Sequence, residues 1–221
     1  MKKNRVSKLQ VQLSRGILAL VILGFLGSCS PTDESNNRLA TEKFNATWLS
    51  DSLDFLLKTR GEIAALAPKS PEGFYSKSWI LAKNSNLSKA IKTADSLVIG
   101  FPAFDKGWYL RANLKAEMND TTGALNDFQQ CLKRNPNFFE AYVNRGGLYF
   151  EAGNMDFALK DFELARTLKP ESKLVYLNLG NTLMALHQVE KACLNWHKAD
   201  SLGDSQAANY IQLYCNQPIS K

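Results

Sequence analysis

Apolar and small residues recur along this chain at a fixed spacing of 34 residues. One series of positions is aromatic: Phe74, Trp108, Tyr142 and Tyr176. Two further series hold alanine and proline: Ala90, Ala124, Ala158 and Ala192, and Pro68, Pro102, Pro136 and Pro170. Between the prolines the apolar residues have helical spacing, and proline stops a helix because it lacks the amide N–H. The pattern therefore predicts one pair of helices per repeat.

The repeat predicts four units of two antiparallel helices. These units are 71–104, 105–138, 139–172 and 173–206. Neither helix of a pair can bury its apolar stripe alone, so we expect the pairs to stack into an all-α solenoid. Residues 38–68 have apolar residues at helical spacing, which predicts an N-terminal helical cap or a degenerate repeat. Residues 205–216 are expected to form a C-terminal capping helix.

The unit at 139–172 resembles the tetratricopeptide repeat (TPR). The residues that carry the resemblance are aromatic, small or proline: Tyr142, Gly146, Tyr149, Gly153, Ala158, Phe162, Ala165 and Pro170. The neighbouring units keep much of this pattern, and 71–104 is the weakest. The resemblance implies a right-handed α-solenoid that serves as a protein-interaction scaffold, without a catalytic role or a cofactor.

In this family the first helix of each repeat lines a concave groove that receives a peptide. The resemblance assigns these residues to the groove: Tyr75, Trp79, Lys83, Lys106, Tyr109, Asn113, Glu117, Asn144, Phe150, Glu151, Asn178 and Asn181. Asparagine can donate to and accept from a peptide backbone, and aromatic rings can anchor apolar side chains. The best-known groove of the family clamps a terminal carboxylate, but here Tyr109, Leu174 and Asn178 replace its cations. Binding of acidic chaperone tails is therefore not expected.

Residues 1–28 have the pattern of a secretory leader. A basic segment without acidic residues precedes an apolar run at 17–26, which is too short to span a bilayer. The stretch Leu26–Cys29 resembles a bacterial lipobox, which implies a lipoprotein of a two-membrane bacterium, with a diacylglyceryl thioether and an acylated amine on Cys29. Several acyl chains would hold such a protein on a membrane. An ordinary signal peptide with an unrelated cysteine is the alternative. The polar residues 29–37 are expected to form a flexible tether.

Most of the excess of basic over acidic residues in this chain lies in the leader. The whole chain has a net charge of +6, which by itself would suggest a nucleic-acid or anionic membrane partner. Without the leader, 22 basic residues face 21 acidic ones. Nucleic-acid binding is therefore not expected.

The cysteines and histidines suggest one crosslink and no metal site. Reflection about the turn at 203–204 places position 193 opposite position 214, so Cys193 and Cys215 are candidates for a disulfide, which secretion would permit. Such a bridge could stabilise the fold by about 3 kcal/mol. Two unpaired small core residues are the alternative. His187 in a turn and His197 on a helix have no ligand cluster around them, so no metal is expected.

Two functions follow from the sequence. The first is a membrane-anchored adaptor in the bacterial cell envelope, on the periplasmic face of the outer membrane or at the cell surface, with a protein or peptide partner in its groove. The alternative is an enzymatic or ligand-binding lipoprotein that uses the N-terminal segment. No nucleophile elbow, phosphate loop or glycine fingerprint is present, and the side chains of a solenoid are largely used in stacking, which favours the adaptor.

Overall fold

A computed structural model of the chain describes residues 33–50 and 52–215. The α-helices, in chain order, are α1 (Asp33–Ala46), α2 (Leu53–Leu66), α3 (Pro71–Lys83), α4 (Leu87–Gly100), α5 (Asp105–Glu117), α6 (Thr121–Arg134), α7 (Phe139–Glu151), α8 (Met155–Leu168), α9 (Lys173–Ala185), α10 (Val189–Ser201) and α11 (Ser205–Tyr210). A 3₁₀ turn at Thr47–Leu49 follows α1, and a single wide π-type turn at Ile211–Cys215 follows α11. The predicted all-α solenoid is confirmed. The leader, Cys29 and residue 216 lie outside the described residues.

The helix bounds repeat at the interval of the sequence pattern. The first helices of the four units begin 34 residues apart, at Pro71, Asp105, Phe139 and Lys173. Each packs against the helix that follows it and against the preceding pair. The second helices α4, α6 and α8 each end two residues before a proline. Proline therefore fixes the length of these helices, as its chemistry predicts.

The turn inside each unit contains one residue with a left-handed backbone. These residues are Ser85 (φ 57°), Asn119 (φ 61°), Gly153 (φ 77°) and His187 (φ 57°). They are again 34 positions apart. Glycine alone enters this region without a steric cost, so the side chains at the other three positions cost about 1 kcal/mol each. His187 is a turn residue, as predicted.

A buried ion pair joins the two helices of the second unit and recurs in the third. Nε and Nη2 of Arg111 donate to the two carboxylate oxygens of Asp127, each at 2.7 Å. Arg145 holds Asp161 in the same way, with both distances at 2.7 Å. Both aspartates are buried, and burial alone would lower the pKa of each arginine, but the aspartates raise it on balance. These pairs serve the packing of α5 on α6 and of α7 on α8.

The N-terminal helix begins earlier than the sequence pattern indicated. Residues 33–37 of the predicted tether belong to α1. Glu34 lies in the first turn, where a carboxylate interacts favourably with the helix dipole. Further along, Ala40 and Phe44 are buried, and Thr41 Oγ1 donates to Glu72 Oε1 of α3 at 3.1 Å. The polar stretch is helical because it extends a helix whose other end is packed.

The predicted capping helix at 205–216 is not continuous, because α11 ends at Tyr210 and a π-type turn follows it. A continuous helix would bury Ala208, but Ala207 is buried and Ala208 is exposed. The reason is local, because α11 has only six residues and the π-type turn that follows rotates the chain. That turn brings Cys215 to Cys193 of α10, and the structure joins the two in a disulfide with 5.6 Å between their Cα atoms.

Candidate functional site

The first helices of the four units, α3, α5, α7 and α9, lie side by side and form one face, which we call the groove face. Two recesses lie on this face among the residues that the structure describes. The first recess, of about 620 Å³, is lined by Thr47, Trp48, Arg60, Tyr75, Trp79, Ala82, Lys83, Ser85, Tyr109, Leu110, Asn113, Leu114, Glu117 and Glu140. The second recess, of about 160 Å³, is lined by Gly147, Phe150, Glu151, Phe162, Asn178 and Asn181. Most of the predicted groove residues therefore line one of the two recesses.

The N-terminal segment fills part of the groove face, which the sequence did not indicate. The ring of Phe44 lies 4.9 Å from that of Tyr75, edge to face, and Tyr75 is only 3% exposed. The ring of Trp48 lies 6.0 Å from that of Tyr109 and 5.8 Å from that of Phe138. Tyr75, predicted to meet a partner, is instead covered by the chain itself.

Lys106 belongs to the same contact with the N-terminal segment. Its Nζ atom donates to Asn45 Oδ1 at 3.4 Å and lies 4.9 Å from the ring centre of Phe44 and 5.0 Å from that of Trp48. Burial lowers the pKa of Lys106, and Asp105 opposes this. This predicted groove residue therefore holds the N-terminal segment in place.

Arg60 of α2 lines the first recess and is almost entirely buried, with 5% of its surface exposed. Its guanidinium carbon lies 5.5 Å from the ring centre of Phe44, 4.9 Å from that of Tyr75 and 4.8 Å from that of Trp79. Burial lowers the pKa of Arg60, and Tyr75 partly opposes this. The sequence carried a signal for this residue, because Arg60 stands where later units have an aromatic residue.

Two asparagines of the predicted groove are hydrogen-bonded to each other. Nδ2 of Asn144 donates to Asn113 Oδ1 at 2.8 Å and to the hydroxyl oxygen of Tyr109 at 3.2 Å. Burial raises the pKa of Tyr109, which keeps this hydroxyl neutral. The three polar side chains form a network across α5 and α7. A peptide bound here would have to share or replace these bonds.

The second recess lies between α7 and α9. Phe150 and Asn178 are half-buried and line it. Asn181 has a structural contact as well, because its Oδ1 atom accepts a hydrogen bond from Nε1 of the buried Trp196 at 3.0 Å. Glu151 is exposed at the rim. This recess is small, and it can take one side chain of a partner.

Residues 33–50 and 52–215 contain no group of three or more histidine, cysteine or acidic side chains placed to hold a metal ion. Over the same residues, no helix has the length and apolar character needed to cross a membrane. The free thiol of Cys131 is buried in the core, and burial raises its pKa to about 12.

A stacked-pair solenoid with recesses along its groove face is the architecture of a scaffold that binds other proteins. In agreement, residues 109–173 match the family model of the tetratricopeptide repeat. Proteins built from this repeat are generally non-enzymatic interaction modules. No protein of curated function matches the sequence.

Solved structures show the same fold at low sequence identity. MamA is 16% identical, with a TM-score of 0.59 over 69% of this chain and 89% of that one. TTC0263, a thermophilic TPR protein of Thermus thermophilus, is 16% identical, with a TM-score of 0.60 over 84% and 100%. YrrB, described as a TPR protein with an unusual peptide-binding site, is 18% identical, with a TM-score of 0.59 over 82% and 100%. These likenesses concern the fold.

Proposed function

We propose that this chain is an adaptor that holds a peptide or protein partner on its groove face. The first recess carries the proposal. It is about 620 Å³ in volume and combines aromatic surface at Trp79 and Tyr109 with the amide of Asn113 and with charged groups at its rim. Apolar anchors with a few polar groups that fix orientation are what peptide grooves use. The peptide-binding site named for YrrB supports the same use of this fold.

The second recess extends the proposed contact along the solenoid. Phe150 and Asn178 repeat, on α7 and α9, the pairing of an aromatic ring with an amide that the first recess has on α5. The Asn113–Asn144 pair lies on α5 and α7, the helices that line the two recesses. A peptide that follows α5, α7 and α9 would therefore meet aromatic and amide groups in both recesses.

We further propose that the adaptor is anchored in the cell envelope, on the outer membrane, through acyl chains on Cys29. The support is the leader and the lipobox-like stretch Leu26–Cys29. A disulfide at Cys193–Cys215 agrees with export, because such bonds persist in oxidising compartments. Metabolic labelling with an alkyne palmitate analogue tests the anchor. The wild-type chain should incorporate the label and remain in the membrane fraction, and Cys29→Ser should do neither.

Site-specific photo-crosslinking in intact cells tests the adaptor function. A photoreactive amino acid is placed at Glu117 of the first recess or Glu151 of the second, both exposed. Matched controls carry it at Lys133 and Lys160, exposed residues of the second helices α6 and α8. We expect one adduct of defined mass at both groove positions and none at the controls. Equal adducts at all four positions, or none at any, would contradict the proposal.

Substitution of the asparagine network gives a second test of the same function. Asn113→Ala and Asn144→Ala each remove one side of the 2.8 Å hydrogen bond between α5 and α7. Adduct yield at Glu117 should fall if a partner backbone uses these amides. Asn195→Ala, on α10, is the matched control, because this half-buried amide lines neither recess, and it should leave the yield unchanged.

A further inference from the structure

We propose that Arg60 receives a carboxylate of the bound partner, so that the first recess reads an acidic group on a peptide. This inference rests on the proposed adaptor function and adds the chemistry of the ligand. Nε and Nη1 of Arg60 are buried and have no hydrogen-bond partner among the residues that the structure describes. A buried guanidinium without hydrogen bonds is costly, because the rings around it do not replace the water that it loses.

Two half-buried arginines of the repeat units offer a comparison with Arg60. Arg111 and Arg145 each hold a buried aspartate through two hydrogen bonds of 2.7 Å. Within 33–50 and 52–215, Arg60 instead packs on the faces of Phe44, Tyr75 and Trp79, and its Nε and Nη1 atoms have no hydrogen-bond partner. The two arginines that join the helices of a unit therefore have a carboxylate, whereas the part of the chain that the structure describes supplies none to Arg60 at the recess.

A second donor in the same recess also lacks a partner. Nε1 of Trp48 is buried, makes no hydrogen bond within 33–50 and 52–215, and belongs to a ring that lines the recess. Arg60 and Trp48 thus offer N–H donors and no acceptor. A carboxylate has only acceptor oxygens and can take two N–H bonds side by side, which are among the strongest hydrogen bonds in proteins.

The charges that line the recess set the direction of the ligand. Arg60 and Lys83 lie at the end formed by α2 and α3, and Lys83 Nζ is 5.5 Å from the ring centre of Trp79. Glu117 and Glu140 lie at the end formed by α5 and α7, where Glu140 pairs with Lys169 at 2.9 Å. A peptide would therefore place its carboxylate at Arg60 and its neutral or basic residues toward α7. Arg60 is not a clamp position of the family, since α2 precedes the first unit.

The test uses the full chain in detergent micelles, with its tryptophans replaced by 5-fluorotryptophan. The four tryptophans give four fluorine resonances, assigned by single Trp→Phe variants. Trp48 and Trp79 line the first recess. Trp108 is an internal control, because it also packs on an arginine, with Arg134 4.6 Å from its ring centre, but that arginine already donates to the carbonyl of Gln130.

Three small probes separate the sources of a carboxylate. N-acetyl-glutamate amide carries it on the side chain, N-acetyl-glutamine carries it at the C-terminus, and N-acetyl-glutamine amide is neutral. We expect a saturable shift of the Trp48 and Trp79 resonances with at least one carboxylate probe, at a concentration about tenfold below that needed for the neutral probe. The probe that saturates first identifies the source. The Trp108 resonance should not respond in this way.

Variants and a competing anion decide whether Arg60 carries the effect. Arg60→Met should abolish the saturable shift, and Arg60→Lys should weaken it because a point charge replaces the planar fork. Arg134→Met, the matched control, should change neither Trp48 nor Trp79. The proposal is overturned if no carboxylate probe saturates, if the shift survives in Arg60→Met, or if inorganic phosphate saturates at a lower concentration than both carboxylates.

The failure of this proposal and the failure of the adaptor function give different results. If the photo-crosslinks at Glu117 and Glu151 form while no carboxylate probe binds, the adaptor stands and the carboxylate site is wrong. If the probes bind while the crosslinks are absent, the site exists and the adaptor function is wrong. A third outcome would also overturn the proposal. If Glu117→Gln shifts the Trp48 resonance without any probe, and the resonance does not respond to the probes, the chain supplies its own carboxylate from Glu117.

Discussion

Gly146 of α7 lies directly against the ring of Phe162 in α8, so that a Cβ atom built on Gly146 would come within 2.8 Å of the phenyl ring. Gly180 stands in the same relation to Trp196 in the next unit. We therefore expect Gly146→Ala to destabilise the fold by about 1–3 kcal/mol, because the ring must move in a packed core. Urea unfolding followed by circular dichroism measures the change.

The neighbouring glycine provides the control for this substitution. Gly147 is on the same helix, and a Cβ there would meet no atom within 4 Å. Gly147→Ala should stabilise the protein by up to about 1 kcal/mol, since alanine is the better helix former. Equal stability of the two variants would show that Phe162 does not limit the space at Gly146.

Substitutions of Arg145 and Asp161 should have non-additive effects on the free energy of unfolding, because the two residues form an ion pair. Asp161 is 2% exposed, so Asp161→Asn should cost about 3 kcal/mol by leaving the half-buried guanidinium of Arg145 without its counter-charge. The fourth unit has Leu179 and Asn195 in the places of this pair. The double variant Arg145→Leu, Asp161→Asn should therefore recover most of the lost stability, as thermal unfolding of the double variant and of the two single variants would show. Additive losses would contradict this interpretation.

Tyr75 predicts a loss of stability at alkaline pH. Burial raises the pKa of Tyr75 above its ordinary value of 10.0. In the unfolded chain the hydroxyl ionises near pH 10, whereas in the fold it keeps its proton. The contribution of Tyr75 to the free energy of unfolding is therefore complete below pH 10. It is lost as the pH rises above 10, because ionisation then stabilises the unfolded chain. The free energy of unfolding should fall by about 1.4 kcal/mol per pH unit from this group alone. Tyr75→Phe should remove that part of the slope between pH 10 and 11, and an unchanged slope would show that Tyr75 ionises in the fold.

The cysteines predict a definite thiol count. In a Cys29→Ser variant the native protein should show no reactive thiol at pH 8, because Cys131 is buried and its pKa is raised to about 12. Denatured without reductant, it should show one thiol, and denatured with reductant, three. Three thiols without reductant would mean that Cys193 and Cys215 are unpaired. The loss of the bridge in Cys193→Ser should cost about 3 kcal/mol.

The sequence alone predicts the repeated part of this fold well. The prolines, the small residues at the helix crossings and the aromatic series determine where α3 to α10 begin and end, because each unit meets the same neighbours. Its predictions are weaker where the repeat stops. Residues 33–37 contain no apolar periodicity, and their helical state depends on contacts with α3 that are far away in the sequence.

In the candidate site, too, the residues of the repeat units could be predicted and those of the N-terminal segment could not. Trp79, Tyr109, Asn113, Phe150, Asn178 and Asn181 line the recesses as the family resemblance implies. The positions of Phe44, Trp48 and Arg60 could not be predicted, since these residues precede the four units and contact residues that are far away in the sequence. The one local signal was an arginine in an aromatic position. The Arg–Asp pairs were missed for another reason, because two charged residues 16 positions apart look like solvated surface until the helices are placed.

The early start of α1 limits how far the solenoid can stand from its proposed anchor. Asp33 is four positions after Cys29, and even a fully extended chain of that length spans at most about 14 Å. If Cys29 is acylated, the start of α1 stays within that distance of the lipid headgroups. A partner that is itself a membrane protein would then meet the adaptor by diffusion in the plane of the membrane. A soluble partner would instead be concentrated at the bilayer surface when it binds.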